Sequence, residues 1–165
     1  MKIIAAADAH WGIGKNNQLL VSIPSDMKFF REMTDGCTII MGRKTLESFP
    51  GSKPLRNRRN IVLTSDPGYT VPGAEIVHSV REALDLVREE ESGNVFCIGG
   101  SSVYEQFLPY CDTAYITKID HVYEADSFFP DLDADGEWEI TSCSEEQTYF
   151  DLTFHFLTYT RKAKE

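Results

Sequence analysis

Short runs of apolar residues alternate along the chain with segments whose apolar residues recur at helical spacing. The apolar runs predict strands at residues 2–7, 38–41, 60–64, 74–78, 95–98, 113–119, 137–143 and 152–160. Several early runs are unbroken, which is typical of parallel strands buried on both faces of a sheet. The last run alternates apolar with polar residues, so we expect an antiparallel strand with one exposed face.

Helices are predicted between these strands. An apolar stripe over residues 24–33 predicts the first helix, with Pro24 in its first turn. A capping box formed by Ser79 and Glu82 predicts the start of another helix, which should continue to about Glu91. The remaining two are predicted at residues 102–108 and near Lys44. The pattern indicates a single α/β domain over residues 1–165, with a mostly parallel eight-stranded sheet, an antiparallel C-terminal strand and about four flanking helices.

Composition narrows the possible partners. Hydrophobic residues make up 42% of the 165 positions and charged residues 25%, an ordinary globular profile. The net charge of −10 counts against nucleic acid and anionic membranes as partners. No apolar run approaches the ~18–20 residues of a bilayer span, and the first run is short for a signal peptide, so we expect a cytoplasmic protein. The four cysteines lack metal-ligand spacing, which favours reduced thiols.

Two strand-to-helix junctions have the composition of anion-binding sites. Gly42-Arg43-Lys44-Thr45 and Gly99-Gly100-Ser101-Ser102 each follow a predicted buried strand. Glycine lets a ligand approach the backbone closely, and the free amides at a helix start favour negative charge. Glycine also serves any tight turn, but two such junctions, one with Arg and Lys, favour a phosphorylated cofactor. The G-x-G-x-x-G and Walker A motifs are both absent from the sequence.

Asp26 lies in the first turn of the first predicted helix and has two interpretations. It could simply complement the helix dipole. Alternatively, its apolar neighbours would desolvate the carboxylate and raise its pKa, and the group could then bind the amidine-like edge of a heterocycle.

Residues 131–136 imitate the start of a calcium-binding loop. The twelfth position is Ser142 instead of the required Glu, so a solvated acidic loop is the better interpretation and no metal is expected.

Several segments, taken in order and spacing, carry a resemblance to a known family. They are Ile3-Ile4-Ala5-Ala6, Trp11-Gly12-Ile13-Gly14, Ile23-Pro24-Ser25-Asp26, the stretches 40–48 and 58–64, Ile98-Gly99-Gly100 with Val103-Tyr104, and residues 125–130. The chain resembles bacterial dihydrofolate reductase essentially from end to end. The resemblance implies a monomer that uses NADPH to reduce 7,8-dihydrofolate to tetrahydrofolate, with hydride transfer to pterin C6 and protonation of N5.

The resemblance also implies a substrate site. Asp26 matches the acid that binds N3 and the 2-amino group of the pterin, and Thr117 matches the threonine that supports this carboxylate. Arg58 matches the arginine that pairs with the α-carboxylate of the glutamate tail, a bidentate task that suits guanidinium. The other substrate-binding positions implied are Ile4, Ala6, Met27, Phe30, Phe49, Ile98 and Tyr104.

A cofactor site is implied in the same way. Ala6 and Ile13 match backbone contacts to the carboxamide, and residues 14–19, including Gly14, Asn17 and Leu19, match a mobile loop over the nicotinamide. The pyrophosphate would lie on Gly42, Arg43, Lys44, Thr45, Gly99, Gly100, Ser101, Ser102 and Val103, beside Tyr104. Arg43, Thr64 and Ser65, next to Leu63, would receive the 2′-phosphate, with Lys44 as a second cation. The family has a cis Gly99-Gly100 bond.

Two departures and two alternatives stay open at this point. Leu20-Val21 stand where many members carry Pro-Trp, and Ser102 stands where some place an arginine for the 2′-phosphate. A pyrimidine reductase of riboflavin synthesis shares the architecture, but it would not need the set of Asp26, Phe30 and Arg58. A non-catalytic nucleotide-binding module would not need the acid at all.

Overall fold

The computed structural model describes residues 1–163; the last two residues of the predicted domain lie outside this range. Its elements in chain order are β1 (Lys2–Ala7), β2 (Gly12–Lys15), β3 (Gln18–Leu19), α1 (Pro24–Thr34), β4 (Thr38–Gly42), α2 (Arg43–Glu47), β5 (Arg59–Leu63), β6 (Ala74–Val77), α3 (Val80–Leu86), β7 (Val95–Cys97), α4 (Ser101–Phe107), β8 (Thr113–Ile119), β9 (Ser127–Phe128), β10 (Trp138–Cys143), β11 (Gln147–Tyr149) and β12 (Leu152–Arg161).

The main sheet has the strand order β10-β12-β8-β1-β7-β4-β5-β6, and β11 pairs with β12 outside this path. The strands from β8 to β6 are parallel, whereas β12 runs antiparallel to β8, β10 and β11. The predicted fold class is therefore confirmed. The parallel strands also place the carboxyl ends of β1, β4, β5 and β7 along one edge, where open α/β sheets bind ligands.

Alternating side chains divide the core between the two faces of the sheet. Ile3, Ile40 and Ile61 pack on one face against side chains of α3 and α4. Their neighbours Ile4, Ile39 and Val62 pack on the other face against side chains of α1 and α2. Burial on both faces explains the unbroken apolar runs in these strands. Among residues 1–163, no helix has the length and apolar character needed to cross a membrane.

Two features differ from the sequence expectation. β2, β3 and β9 form a separate three-stranded sheet that the apolar pattern did not indicate. The helix predicted to continue to about Glu91 ends at Leu86, and turns follow it. Glu90 instead accepts hydrogen bonds from Thr38 Oγ1 and, at 3.0 Å, from Arg59 Nη1, at the amino ends of β4 and β5. These contacts of Glu90 stabilise the turns that follow Leu86, where the sequence pattern predicts a continuation of α3.

We expect Ser79→Ala to lower the free energy of unfolding by about 1 kcal/mol, the usual cost of losing an N-cap. The Ser79 hydroxyl accepts a hydrogen bond from Glu82 N at 3.1 Å, as the capping box predicts. Glu82 Oε2 accepts one at 2.6 Å from His78 N, one residue before the N-cap, and not from Ser79 N. Urea denaturation measures the loss. Ser79→Asp is the control, because aspartate also caps helices; an equal loss in both variants would contradict the capping role.

Candidate active site

Asp26 and Thr117 come together at the carboxyl ends of the central strands. The Thr117 hydroxyl donates a 2.6 Å hydrogen bond to Asp26 Oδ1. Thr117 is buried on β8, where it pairs with Ala6 of β1. Asp26 is half-buried in the first turn of α1, which begins at Pro24 after the extended, buried Ile23. Helix start and strand register together therefore set the position of the carboxylate.

The environment of Asp26 changes its acidity. Burial raises the pKa of Asp26 above its ordinary value, and the hydrogen bond from Thr117 opposes part of this rise. No hydrogen bond from residues 1–163 reaches the second oxygen, Oδ2. The carboxylate can therefore offer Oδ2, with Oδ1 already oriented by Thr117, to a planar donor pair.

Apolar residues from four separate segments of the chain form a wall on the same face of the sheet. Ile4, Ile98, Phe30 and Phe49 belong to one packed cluster. Met27 is 37% exposed and is not part of this cluster.

Tyr104 links this region to the strand ends. Its hydroxyl lies 2.7 Å from the Ile4 carbonyl oxygen and 2.9 Å from that of Ile98. Burial raises the pKa of Tyr104 well above its ordinary value, and the nearby Asp26 carboxylate adds to this rise. The neutral phenol thus donates to the backbone beside the acid.

The two glycine junctions meet each other. Gly42 N donates a 2.8 Å hydrogen bond to the Gly99 carbonyl, and the Gly99-Gly100 peptide bond is cis. A Cβ on Gly42 would lie 3.1 Å from Val103 Cγ2, and one on Gly99, whose φ is +114°, would lie 3.0 Å from the Tyr104 ring. No side chain caps the start of α2 or α4, so their first amides stay available. Ser101 begins α4 within this cradle.

Arg43 is engaged more fully than the sequence indicated. Its guanidinium donates to Glu47 at 2.8 Å and Asp66 at 3.4 Å, and it lies 4.7 Å from the centre of the Tyr69 ring. Lys44 makes no ion pair with any residue in the described range. Two carboxylates therefore reduce the positive charge that the first junction offers to an anion.

The other residues that the sequence analysis assigns to the cofactor phosphates differ in whether their hydroxyl groups already have hydrogen-bond partners. Leu63, the last residue of β5, pairs with Gly42, and Thr64 and Ser65 follow it. The Thr64 hydroxyl accepts a hydrogen bond from Asp66 N at 3.2 Å, so it helps fix that carboxylate. The Ser102 hydroxyl accepts one from Gln106 Nε2 at 3.0 Å. Thr45 Oγ1 faces Gly100, 3.8 Å from the position of a Cβ there.

Arg58 has an unsatisfied donor. Its Nε is buried and has no partner among the described residues, and Nη2 makes only a 3.5 Å contact with the Arg31 carbonyl. Buried donors in proteins are nearly always paired. Within residues 1–163, the guanidinium of Arg58 has one weak contact to a carbonyl.

The segment implied to be a loop forms a β-hairpin. Gly14 pairs with Leu19 and Lys15 with Gln18, and the two turn residues Asn16 and Asn17 have positive φ. This conformation belongs to tight hairpin turns and is tolerated by asparagine, so the Asn-Asn pair was a signal that could have predicted it. Leu19 is 62% exposed at the end of the hairpin. Ala6, Ile13, Leu20 and Val21 line a small cavity beneath it.

Sequence reasoning missed two acids of this region, Asp8 and Asp126. Asp8 is almost completely buried, and Asp126 Oδ2 accepts a 2.9 Å hydrogen bond from Asn16 N in the hairpin turn. The partner of Asp126 is 110 residues away, and Asp8 joins two nearby amides, those of His10 and Gly12, to the distant amide of Tyr123. Within residues 1–163, no three His, Cys, Asp or Glu side chains cluster in a way that could hold a metal ion. In the acidic loop, Asp131 and Asp135 accept hydrogen bonds from nearby backbone amides.

Comparisons with known proteins agree with this geometry. The family model for dihydrofolate reductase matches residues 1–161. The chain is 39% identical to the dihydrofolate reductase of Bacillus subtilis, covering 98% of this chain and 95% of that protein. It is 38% identical to that of Staphylococcus haemolyticus, covering 94% and 93%. A solved structure of Enterococcus faecalis dihydrofolate reductase complexed with NADP(H) and RAB-propyl superimposes with a TM-score of 0.87 at 37% identity, covering 98% and 96%.

The fold, the half-buried acid and the paired glycine junctions define the class of nucleotide-dependent α/β oxidoreductases. The chain belongs to the dihydrofolate reductase family. This membership confirms the family and the enzyme class that the sequence resemblance implied, and it counts against both alternatives.

We expect Asp26→Asn to raise the melting temperature of the ligand-free chain, and by more at about pH 7 than at about pH 4. The pKa of Asp26 is raised in the folded state. Below the unfolded-state pKa both states bind the proton. As pH rises through the folded-state pKa, a desolvated carboxylate must ionise and that stability is lost. Asparagine avoids this loss and can still accept from Thr117. Thermal melts at both pH values measure it; equal gains would contradict the assigned cause.

Proposed function

We propose that this chain catalyses the reduction of 7,8-dihydrofolate to 5,6,7,8-tetrahydrofolate by hydride transfer to C6 and protonation of N5. The observation that carries the proposal is the Asp26 carboxylate, oriented by Thr117 at 2.6 Å with its other oxygen available. The acid lies on the face of the sheet that carries the apolar cluster of Ile4, Ile98, Phe30 and Phe49, and Tyr104 connects this region to the glycine junctions through Ile98 and Gly99. Family membership supports the same reaction.

The substrate has a chemical counterpart for each part of the cleft. Asp26 accepts hydrogen bonds from N3 and the 2-amino group of the pterin. Phe30, Phe49 and the aliphatic wall cover its flat faces. Arg58, whose terminal nitrogens make only one 3.5 Å contact within residues 1–163, binds the α-carboxylate of the glutamate tail. The Asp26 carboxylate and the Arg58 guanidinium thus meet the polar groups at the two ends of dihydrofolate, and the apolar residues meet the rings between them.

NADPH is the cofactor of this family, and the residues present fit it. The facing junctions at Gly42–Thr45 and Gly99–Val103 supply uncapped amides and lack the Cβ atoms that would crowd them. Lys44, Thr64, Ser65 and Arg43 provide donors for the 2′-phosphate. The Ala6 and Ile13 backbones lie beside the cavity under the hairpin and bind the carboxamide. When bound there, NADPH supplies the hydride.

Asp26 prepares the pterin for reduction without contacting N5. Its raised pKa favours retention of a proton shared with the ring, and the protonated ring accepts a hydride more readily. Thr117 keeps the carboxylate in the ring plane. The aliphatic Leu20 and Val21 line the cavity near Ala6 and exclude water, which strengthens the electrostatic contacts. The proton for N5 is expected to arrive through a water molecule from solvent.

The decisive experiment follows the loss of NADPH absorbance with dihydrofolate as the substrate. The unmodified chain should oxidise NADPH only when dihydrofolate is present, and Asp26→Asn should lower the hydride-transfer rate by about 100-fold or more at neutral pH, the usual scale for acid–base assistance. NADPH affinity should stay nearly unchanged. Glu32→Gln, which removes an exposed charge from the same helix, is the control and should behave as the unmodified chain. Absence of folate-dependent oxidation would refute the proposed reaction.

The ion pairs of Arg43 lead to a prediction on cofactor selectivity. Arg43→Ala should weaken NADPH binding more than NADH binding, because the lost charge faces the extra phosphate. Asp66→Asn should do the opposite and strengthen NADPH relative to NADH by about two- to fivefold, on the scale of one exposed ion pair. Arg81→Ala, an exposed arginine on α3, is the control. Titration of both nucleotides tests this, and equal changes for NADPH and NADH would place Arg43 away from the phosphate.

A further inference from the structure

Asp8 is a buried carboxylate that the reaction scheme above does not use. It follows β1 directly and is 1% exposed. Its Oδ1 accepts hydrogen bonds from His10 N at 2.9 Å and Gly12 N at 2.8 Å, and its Oδ2 accepts one from Tyr123 N at 2.9 Å. Three backbone amides from two distant segments therefore converge on one side chain. Backbone donors so directed fix the path of both segments.

The first segment leads into the hairpin over the candidate nicotinamide site. Gly12 begins β2, and Trp11 before it has a φ of +65°, a strained value for an aromatic residue. Burial of the Trp11 ring against Phe129 and Tyr159 holds this conformation. A Cβ on Gly12 would lie 2.9 Å from Asp8 Oδ2 and 2.8 Å from Ala125 Cβ. The base of the hairpin is thus packed directly on the Asp8 carboxylate.

The second segment returns to the tip of the same hairpin. Tyr123 precedes Glu124, which forms a 2.5 Å ion pair with Lys15, and Asp126, which accepts from Asn16 N. Asp126 N in turn donates to the Gly14 carbonyl at 3.0 Å. The segment 123–126 and the hairpin are therefore held together at the tip by these contacts and at the base by Asp8.

We propose that Asp8 is a positioning residue for hydride transfer: by holding Gly12 and Tyr123 it fixes the hairpin base, and with it Ile13, against the reduced nicotinamide. Asp8 and Ile13 both line the small cavity beneath the hairpin, together with Ala6. Asp8 acts through the backbone, because three amides already occupy its two carboxylate oxygens. The inference rests on the proposed function.

The test compares Asp8→Asn with a variant of another carboxylate that also joins two segments of the chain but lies outside the site. Asparagine keeps the shape of Asp8 but turns an N–H₂ group toward a backbone N–H. Glu90→Gln is the control, because Glu90 binds Thr38 and Arg59 at the opposite end of the sheet. We expect Asp8→Asn to slow single-turnover hydride transfer by about tenfold or more, on the scale of one unsatisfied buried donor. Glu90→Gln should lower the melting temperature and leave this rate unchanged.

Binding of the two halves of the cofactor separates positioning from general damage to the fold. Asp8→Asn should weaken NADPH binding but leave binding of 2′,5′-ADP, which carries only the adenosine half, within about twofold of the unmodified chain. Its turnover should also show a larger isotope effect with NADPH deuterated at the transferred position, because the chemical step becomes slower. Gly12→Ala should reproduce both effects by displacing the same contact with the carboxylate intact.

Three outcomes would overturn the inference. They are an unchanged hydride rate in Asp8→Asn, an equal weakening of NADPH and 2′,5′-ADP, and a rate loss that Glu90→Gln reproduces at the same melting temperature. If Asp8→Asn fails to fold, the same readouts on Gly12→Ala decide. These outcomes are distinct from failure of the proposed function, in which the unmodified chain itself would not oxidise NADPH with dihydrofolate.

Discussion

The hydrogen bond from Thr117 to Asp26 is the interaction on which the site depends. Removing a carboxylate from water is costly unless it is hydrogen-bonded, and a bond to a charged group contributes only about 1.5–3 kcal/mol. One such bond offsets part of the desolvation of Asp26, and its pKa stays raised. Asp26 therefore keeps one carboxylate oxygen, Oδ2, that accepts no hydrogen bond within residues 1–163 and can accept one from a ligand. The register of β1 with β8, which places Thr117 beside Ala6, makes this arrangement possible.

Charge poses a second constraint, because an acidic chain must bind two anionic ligands. The net charge is −10, yet a nucleotide phosphate and a carboxylate tail both need local positive potential. Screening limits exposed charges to about 8–10 Å, so nearby groups dominate. Within residues 1–163 Arg58 pairs with no carboxylate, whereas Arg43 is paired with Glu47 and Asp66. Ion pairs therefore offset the positive charge of Arg43, while no ion pair within the described residues offsets that of Arg58.

The sequence was informative wherever structure depends on neighbours in the chain. Buried parallel strands are unbroken apolar runs, and the Ser79 capping box needs only residues three apart, so both were predictable. The three-stranded sheet was not, because its strands have only two to four residues, too few for a periodic signal, and two of the four residues of β2 are glycines. The early end of α3 depends on Glu90 meeting Arg59, and the pairing of Arg43 depends on Asp66, which only the folded sheet brings near.

A comparison of two acids shows how burial alone fails to identify the chemically available group. Asp8 is the more deeply buried, but three backbone amides occupy both of its oxygens. Asp26 is less buried, receives one hydrogen bond, and keeps an oxygen without a protein donor. A fully bonded carboxylate gains little from a ligand and serves to hold the backbone, whereas a partly bonded one gains a great deal. The division between a positioning acid and a binding acid therefore follows from counting donors, and it places the chemistry at Asp26 and the hairpin support at Asp8.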